Sequence, residues 1–223
     1  MGRVYRSAPE YAVRPVVGVS RGLAMPLSLE RYADNVDRHF ARVQAWFLDL
    51  LGVTFELEQA LVWRSDWIPL TEDYWIYTMK ELAGKGVIDV DSGRRFYYFV
   101  TPLIGPLGGW VGGEWIDAKS LMPGLASIPS YMGRLLGGWN DFLPNEWWAD
   151  EARESMGGVA HELGHSFGAY QDAGGRWQGM PHNDSWESDS VMLEWWLFNR
   201  GAGFTEREKE MMATSPVGQK FLS

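Results

Sequence analysis

From Leu29 onward the apolar residues Tyr32, Val36, Phe40, Val43, Phe47 and Leu50 return at every third or fourth position. That spacing places them along one face of a helix, opened by Pro26 and Ser28 and closed by Gly52. His39 lies off this stripe and is expected in solvent. Residues 1–27 read as irregular, except that Val16-Val17-Gly18-Val19 reads as an edge strand. Val53, Phe55 and Leu57 then alternate with Thr54, Glu56 and Glu58, which predicts a half-buried strand between Val53 and Trp63. Thr71 caps a second helix, running to about Leu82 and ended by Gly84 and Gly86. Arg95 to Thr101 is a strand by β-propensity.

The later half is less regular. Gly105 to Gly113 fits no phosphate loop, since the spacing is wrong and no Lys follows. It reads instead as a loop leading to an exposed edge strand near Glu114-Trp115-Ile116. Residues 120–148 read as long connections with little regular structure. A helix then starts near Asp150, with Ala152, Met156, Val159, Leu163 and Phe167 on its core face and Gly158, His161 and His165 opposite. Gly157-Gly158 weakens a helix, so close packing there is expected. Thr205-Glu206-Arg207-Glu208 is a capping box opening a last helix, which Ser215-Pro216 breaks before a short final turn. Internal repeats and low-complexity tracts are absent.

Composition narrows the partners. With 46% hydrophobic residues and 22% charged, a packed core is expected. Most of the 13 Trp and nine Tyr are expected in that core, with a few left to line an elongated groove. The net charge of −9, without any clustered Lys and Arg beyond Arg94-Arg95, argues against nucleic acid. No apolar run is long enough for a membrane span. The stretch Met1 to Val17 lacks the apolar core of a signal peptide, so the chain is expected in the cytoplasm or secreted with its signal removed. There is no Cys, which excludes disulfides and thiolate metal ligands.

The chemistry concentrates in His161-Glu162-Leu163-Gly164-His165. A helix turns once in about 3.6 residues, so histidines four apart share a face and can grip one Zn2+ ion. Glu162, beside the first ligand, is the expected general base for a metal-activated water. The pattern predicts a zinc hydrolase. A catalytic zinc wants three protein ligands and an open position. Among the chain's four His, His182 is the only other one downstream, in the turn-rich segment Met180-Pro181-His182-Asn183-Asp184. His182 is the preferred third ligand, Asp172 the alternative, and Glu187 and Glu194 remoter ones.

The run His161-Glu162-Leu163-Gly164-His165-Ser166-Phe167-Gly168 resembles the metzincin peptidases, whose pattern is His-Glu-x-x-His-x-x-Gly-x-x-His or Asp. Ser190-Val191-Met192 is similar to their Met-turn, in which the Met, here Met192, packs beneath the metal. The likeness implies an α+β zincin fold: a twisted mixed β-sheet with helices, an active-site helix and a smaller C-terminal lobe. On that reading residues 1–223 form one catalytic domain, divided near residue 168. It also implies a zinc-dependent endopeptidase acting on protein or peptide substrates, with the edge strand near Gly112 to Ile116 pairing with extended substrate. The chain departs from the family pattern where the third ligand would fall, at Gln171. An insertion from Ala169 to Pro181 would delay that ligand to His182. The place of an assisting Tyr in some members holds Glu194, so that role is not carried over.

Two rival readings follow from other features. Trp147-Trp148 and Trp195-Trp196 suit a non-catalytic zinc- or carbohydrate-binding protein, because exposed indoles stack on sugar rings. A zincin of the other branch, with Glu187 or Glu194 as third ligand, is the second.

Overall fold

The computed structural model describes residues 10–21, 28–65, 74–90, 92–100, 110–111, 125–127, 147–182, 189–193 and 201–223. These form a mixed α+β structure around a small, mainly parallel sheet. The strands are β1 (Ala12–Ser20), β2 (Leu61–Ser65), β3 (Arg95–Val100), β4 (Trp110–Val111) and β5 (Leu125–Ser127), in the order β2-β1-β3-β5-β4. All neighbours run parallel except β4, which pairs antiparallel with β5 at the sheet's edge.

Three expectations about the strands need correction. The run Val16–Val19 is not an edge: β1 pairs with β2 on one side and β3 on the other. Its valines are buried because the strand is covered on both faces, and such strands read as unbroken apolar runs. Second, Val53–Leu57 is not a continuous strand. Phe55 makes an isolated bridge to Leu222 and Leu57 one to Val13, and the regular ladder begins only at Leu61. The chain here is pulled aside by its own C-terminus, where Thr54 and Ser223 exchange backbone hydrogen bonds, and by Gln44, whose Nε2 donates to the Phe55 carbonyl at 2.6 Å. Third, Leu125–Ser127 in the supposedly irregular stretch forms β5, its register set by Tyr97–Phe99 of β3.

Helix α1 (Leu29–Leu51) ends as its pattern demands. The Ser28 hydroxyl accepts from Arg31 N–H at 3.2 Å, and Gly52 takes the left-handed conformation (φ +74°) that a side chain would resist. Its stripe from Tyr32 to Phe47 is buried. His39 is half-buried rather than solvated, and burial holds its pKa down to about 4. Helix α2 (Tyr74–Gly84) covers the opposite face of the sheet, where Met79 and Leu82 meet Val16, Tyr97 and Phe99. Thr71, Gly105 and the edge strand expected at Gly112–Ile116 lie outside the described residues.

Helix α3 (Trp147–Phe167) begins three residues before the expected start and packs against α1. Its last residue, Phe167, is fully buried with its ring centroid 5.6 Å from that of Phe47 and 5.7 Å from that of Phe55. Truncating such a ring costs about 3–5 kcal/mol, so this cluster pins the end of the helix. A hairpin of β6 (Tyr170–Gln171) and β7 (Trp177–Gln178) follows. The capping box at Thr205 opens α4 (Glu206–Thr214), and α5 (Gly218–Phe221) makes the final turn. Met192, Met212, Val217 and Phe221 join the same core as α1 and α3.

Candidate metal centre

Helix α3 is buried almost all round from Met156 to Leu163, more than a single apolar stripe requires. His161 (4% exposed) and Glu162 (7%) are therefore polar groups inside the protein. Buried polar groups need partners, and the backbone supplies them. His161 Nδ1 lies 2.8 Å from the Val191 carbonyl, and His165 Nδ1 bonds the Met180 carbonyl. A carbonyl only accepts, so each Nδ1 carries a proton and donates it.

The remaining ring nitrogens face each other. His161 Nε2 and His165 Nε2 are 3.0 Å apart. Burial is the main reason both rings resist a second proton: it draws His161 down to about 4 and His165 to about 3, with His182 adding to the effect and the two carbonyls opposing it. At neutral pH two lone pairs thus converge, an arrangement that a cation between them relieves. Tetrahedral zinc with Zn–N distances of about 2.0–2.1 Å would set its ligand nitrogens about 3.3 Å apart, close to this separation.

His182 completes the group. Each of His161, His165 and His182 offers a ligand atom, and these atoms all lie within 4.8 Å of one another. The His182 ring centroid is 5.1 Å from that of His161 and 4.7 Å from that of His165. Among the described residues this is the only such group, and it can hold a metal ion. Exposure rises from buried His161 through His165 to exposed His182, so the centre opens to solvent on the His182 side.

The hairpin delivers His182. Asp172 N–H donates to the Arg176 carbonyl and Gly175 N–H to the Asp172 carbonyl, both at 2.9 Å, which reverses the chain within a tight turn. Gly175 adopts φ +75° to allow it. The Asp172 carboxylate is engaged by this turn: Oδ1 accepts from Gly174 N–H at 2.8 Å and Arg176 N–H at 3.0 Å, and Oδ2 from Gln178 Nε2 at 3.2 Å. Asp172 is not in the histidine group, and Gln171 lies exposed on β6.

Met192 is fully buried below α3. A Cβ on Gly164, between the two helix histidines, would come 2.6 Å from Met192 Sδ and 2.9 Å from Phe204. Glycine at that position lets the 190–193 turn, closed by Leu193 N–H to the Ser190 carbonyl at 3.1 Å, approach the helix. Glu162 is pushed up to about 8 by burial. Its neighbour Tyr98 is raised well above its usual value by burial and by the Glu162 charge, and its hydroxyl lies 3.5 Å from the Gly158 carbonyl. Sequence reasoning missed the carbonyls of Val191 and Met180 as ring anchors, because a backbone acceptor leaves no mark on residue type.

Glu187, Glu194, Trp195 and Trp196 lie outside the described residues, as do the side chains of Trp147 and Trp148. Among the described residues, no helix is long and apolar enough to cross a membrane. No protein-family model matches this chain, and no curated protein matches it.

Proposed function

We propose that this protein is a zinc-dependent endopeptidase of metzincin type. The observation that carries the reading is the convergence of three imidazoles, two of them with Nδ1 protons committed to carbonyls and Nε2 atoms 3.0 Å apart, on the helix that also bears Glu162. Three neutral nitrogen ligands suit zinc, and three protein ligands leave a coordination position free. His161, His165 and His182 are the ligands. The hairpin between Gly168 and His182 explains how a ligand delayed beyond Gln171 still reaches the helix. Met192 beneath Gly164 agrees with a Met-turn.

When bound, zinc supplies an acidified water and Lewis-acid polarisation of a carbonyl. Glu162 is the residue that would take up the proton at such a centre and pass it to the leaving amine. A group that must both accept and release a proton works best with a pKa near the working pH. Burial lifts Glu162 to about 8, and a cation beside it would draw that value back towards neutrality. The buried wall around His161 and Glu162 keeps bulk water from competing for the proton. His182, exposed at the rim, marks the side from which an extended peptide enters.

The test is a peptide-library digest by the metal-replete protein, with and without chelator. The proposal expects cleavage that chelation abolishes and added zinc restores. A protein that retains zinc and cuts no peptide belongs instead to the non-catalytic class.

A further inference from the structure

Glu208 closes the capping box of α4. Its N–H donates to Thr205 Oγ1 at 3.3 Å, and its Oε2 accepts from Thr205 N–H at 2.7 Å. A capping box needs nothing more of a glutamate, and charged side chains ordinarily stay in solvent. Yet Glu208 is only 5% exposed. A buried carboxylate must be compensated by hydrogen bonds, and a further one comes from outside the helix. The Ser190 hydroxyl donates to it, 2.7 Å from Oε2 and 2.9 Å from Oε1.

An ionised carboxylate can only accept. It therefore takes the single proton of Ser190 and leaves that oxygen to act as acceptor. The donor it meets is Met192 N–H, at 3.0 Å. This N–H belongs to the same peptide unit as the Val191 carbonyl. A trans peptide is planar and points its N–H and C=O in opposite directions. Fixing Met192 N–H on Ser190 thus aims the Val191 carbonyl the other way, at His161 Nδ1, 2.8 Å distant. The polarity runs unbroken from carboxylate to hydroxyl to peptide to imidazole. It ends with the proton on Nδ1 and an unprotonated Nε2 facing His165. His165 is oriented separately, by Met180.

We propose that Glu208, acting through Ser190 and the Val191–Met192 peptide, is a positioning residue that fixes the tautomer and aim of His161 for metal binding. This rests on reading the three histidines as a metal centre and deepens it. Its signature is selective: disturbing Glu208 alters His161 and spares His165.

The experiment uses the full chain with 15N-labelled histidine. Long-range 1H–15N spectra of the zinc-free protein report each ring's tautomer, and competition with a chromophoric chelator reports zinc affinity. Ser190→Ala and Glu208→Gln are compared with Thr205→Ala, which removes the helix cap and leaves the Ser190–Glu208 bond. In wild type both rings are expected in the Nδ1–H form. In Ser190→Ala and Glu208→Gln, His161 is expected to become a tautomer mixture while His165 does not, and the zinc Kd to rise about tenfold, the usual effect of an outer-shell ligand. Thr205→Ala is expected to lower the thermal midpoint yet hold Kd within about twofold, since a lost cap costs helix stability alone. Should Ser190→Ala fail to fold, Glu208→Gln carries the comparison. An unchanged His161 tautomer or Kd in the tested variants overturns the proposal, as does a Thr205→Ala that weakens zinc equally. If wild type takes up no zinc, the metal reading falls, while the zinc-free spectra still decide the Glu208 link.

Discussion

Met180 and His165 are joined twice: Met180 N–H donates to the His165 carbonyl at 2.9 Å, and the His165 ring returns a bond from Nδ1 to the Met180 carbonyl. This pairing orients one helix ligand and, two residues later, delivers His182. It depends on Gly168, where a Cβ would stand 2.7 Å from Met180 Sδ and 2.8 Å from Met180 Cβ. The sulfur can swing away, but the Cβ moves only with its backbone. Gly168→Ala should therefore lower stability by about 1–3 kcal/mol in urea denaturation, as overpacking does, and also weaken zinc by about tenfold or more. A variant that binds zinc as tightly as wild type would show that this close approach does not set the ligand geometry.

Sequence alone left His182 and Asp172 as the nearer candidates for the third ligand, with Glu187 and Glu194 remoter. His182→Ala should raise the zinc Kd by more than about 100-fold, beyond the range of an outer-shell change. Asp172→Ala should raise Kd by no more than about tenfold, through a loosened hairpin rather than a lost ligand, because its carboxylate accepts from Gly174, Arg176 and Gln178. Elemental analysis after gel filtration reads both. The reverse result would move the third ligand to Asp172.

Glu162→Gln preserves shape while removing the proton acceptor. It should retain zinc and lose peptide cleavage by about 10²- to 10⁴-fold in kcat, the range of general acid–base catalysis. Equal turnover by this variant would take Glu162 out of the mechanism.

The zinc-free protein should have a distinctive pH profile. Below its ordinary pKa of 6.5, an unfolded histidine takes up a proton that folded His161 refuses until about 4 and folded His165 until about 3. Stability conferred by these neutral rings is complete above pH 6.5 and is lost as pH falls through that window. His39, depressed to about 4, acts in the same direction. Glu162 opposes them: unfolded, it ionises at 4.5, but folded it keeps its proton to about 8, so stability falls as pH rises through that interval. The urea midpoint should therefore peak near pH 6.5. Glu162→Gln should abolish the alkaline decline and leave the acid one. A decline that persists in that variant would assign it to another group.

Helix α1, the α4 capping box and the two helix histidines were legible because each depends on local spacing. A stripe, a cap and an i, i+4 pair need no distant partner. The role of β1 was not legible, since a run of valines does not say whether one neighbour strand or two will cover it. The bridge segment Val53–Leu57 misled for a similar reason: its alternation is that of a strand, but its partners are the chain's last residues and Gln44. At the site, His182 was nameable only by elimination, and the hairpin that delivers it depends on Gly175 and Asp172 acting together. The orienting carbonyls of Val191 and Met180 belong to the backbone, where residue type is silent.

X-ray absorption at the zinc edge tests most directly whether His161, His165 and His182 hold one metal ion. The zinc-replete protein should give a first shell with three imidazole nitrogens at about 2.0–2.1 Å, and His182→Ala should lose one of them. A protein that keeps no zinc through dialysis, or whose zinc spectrum lacks imidazole scattering, would contradict the account.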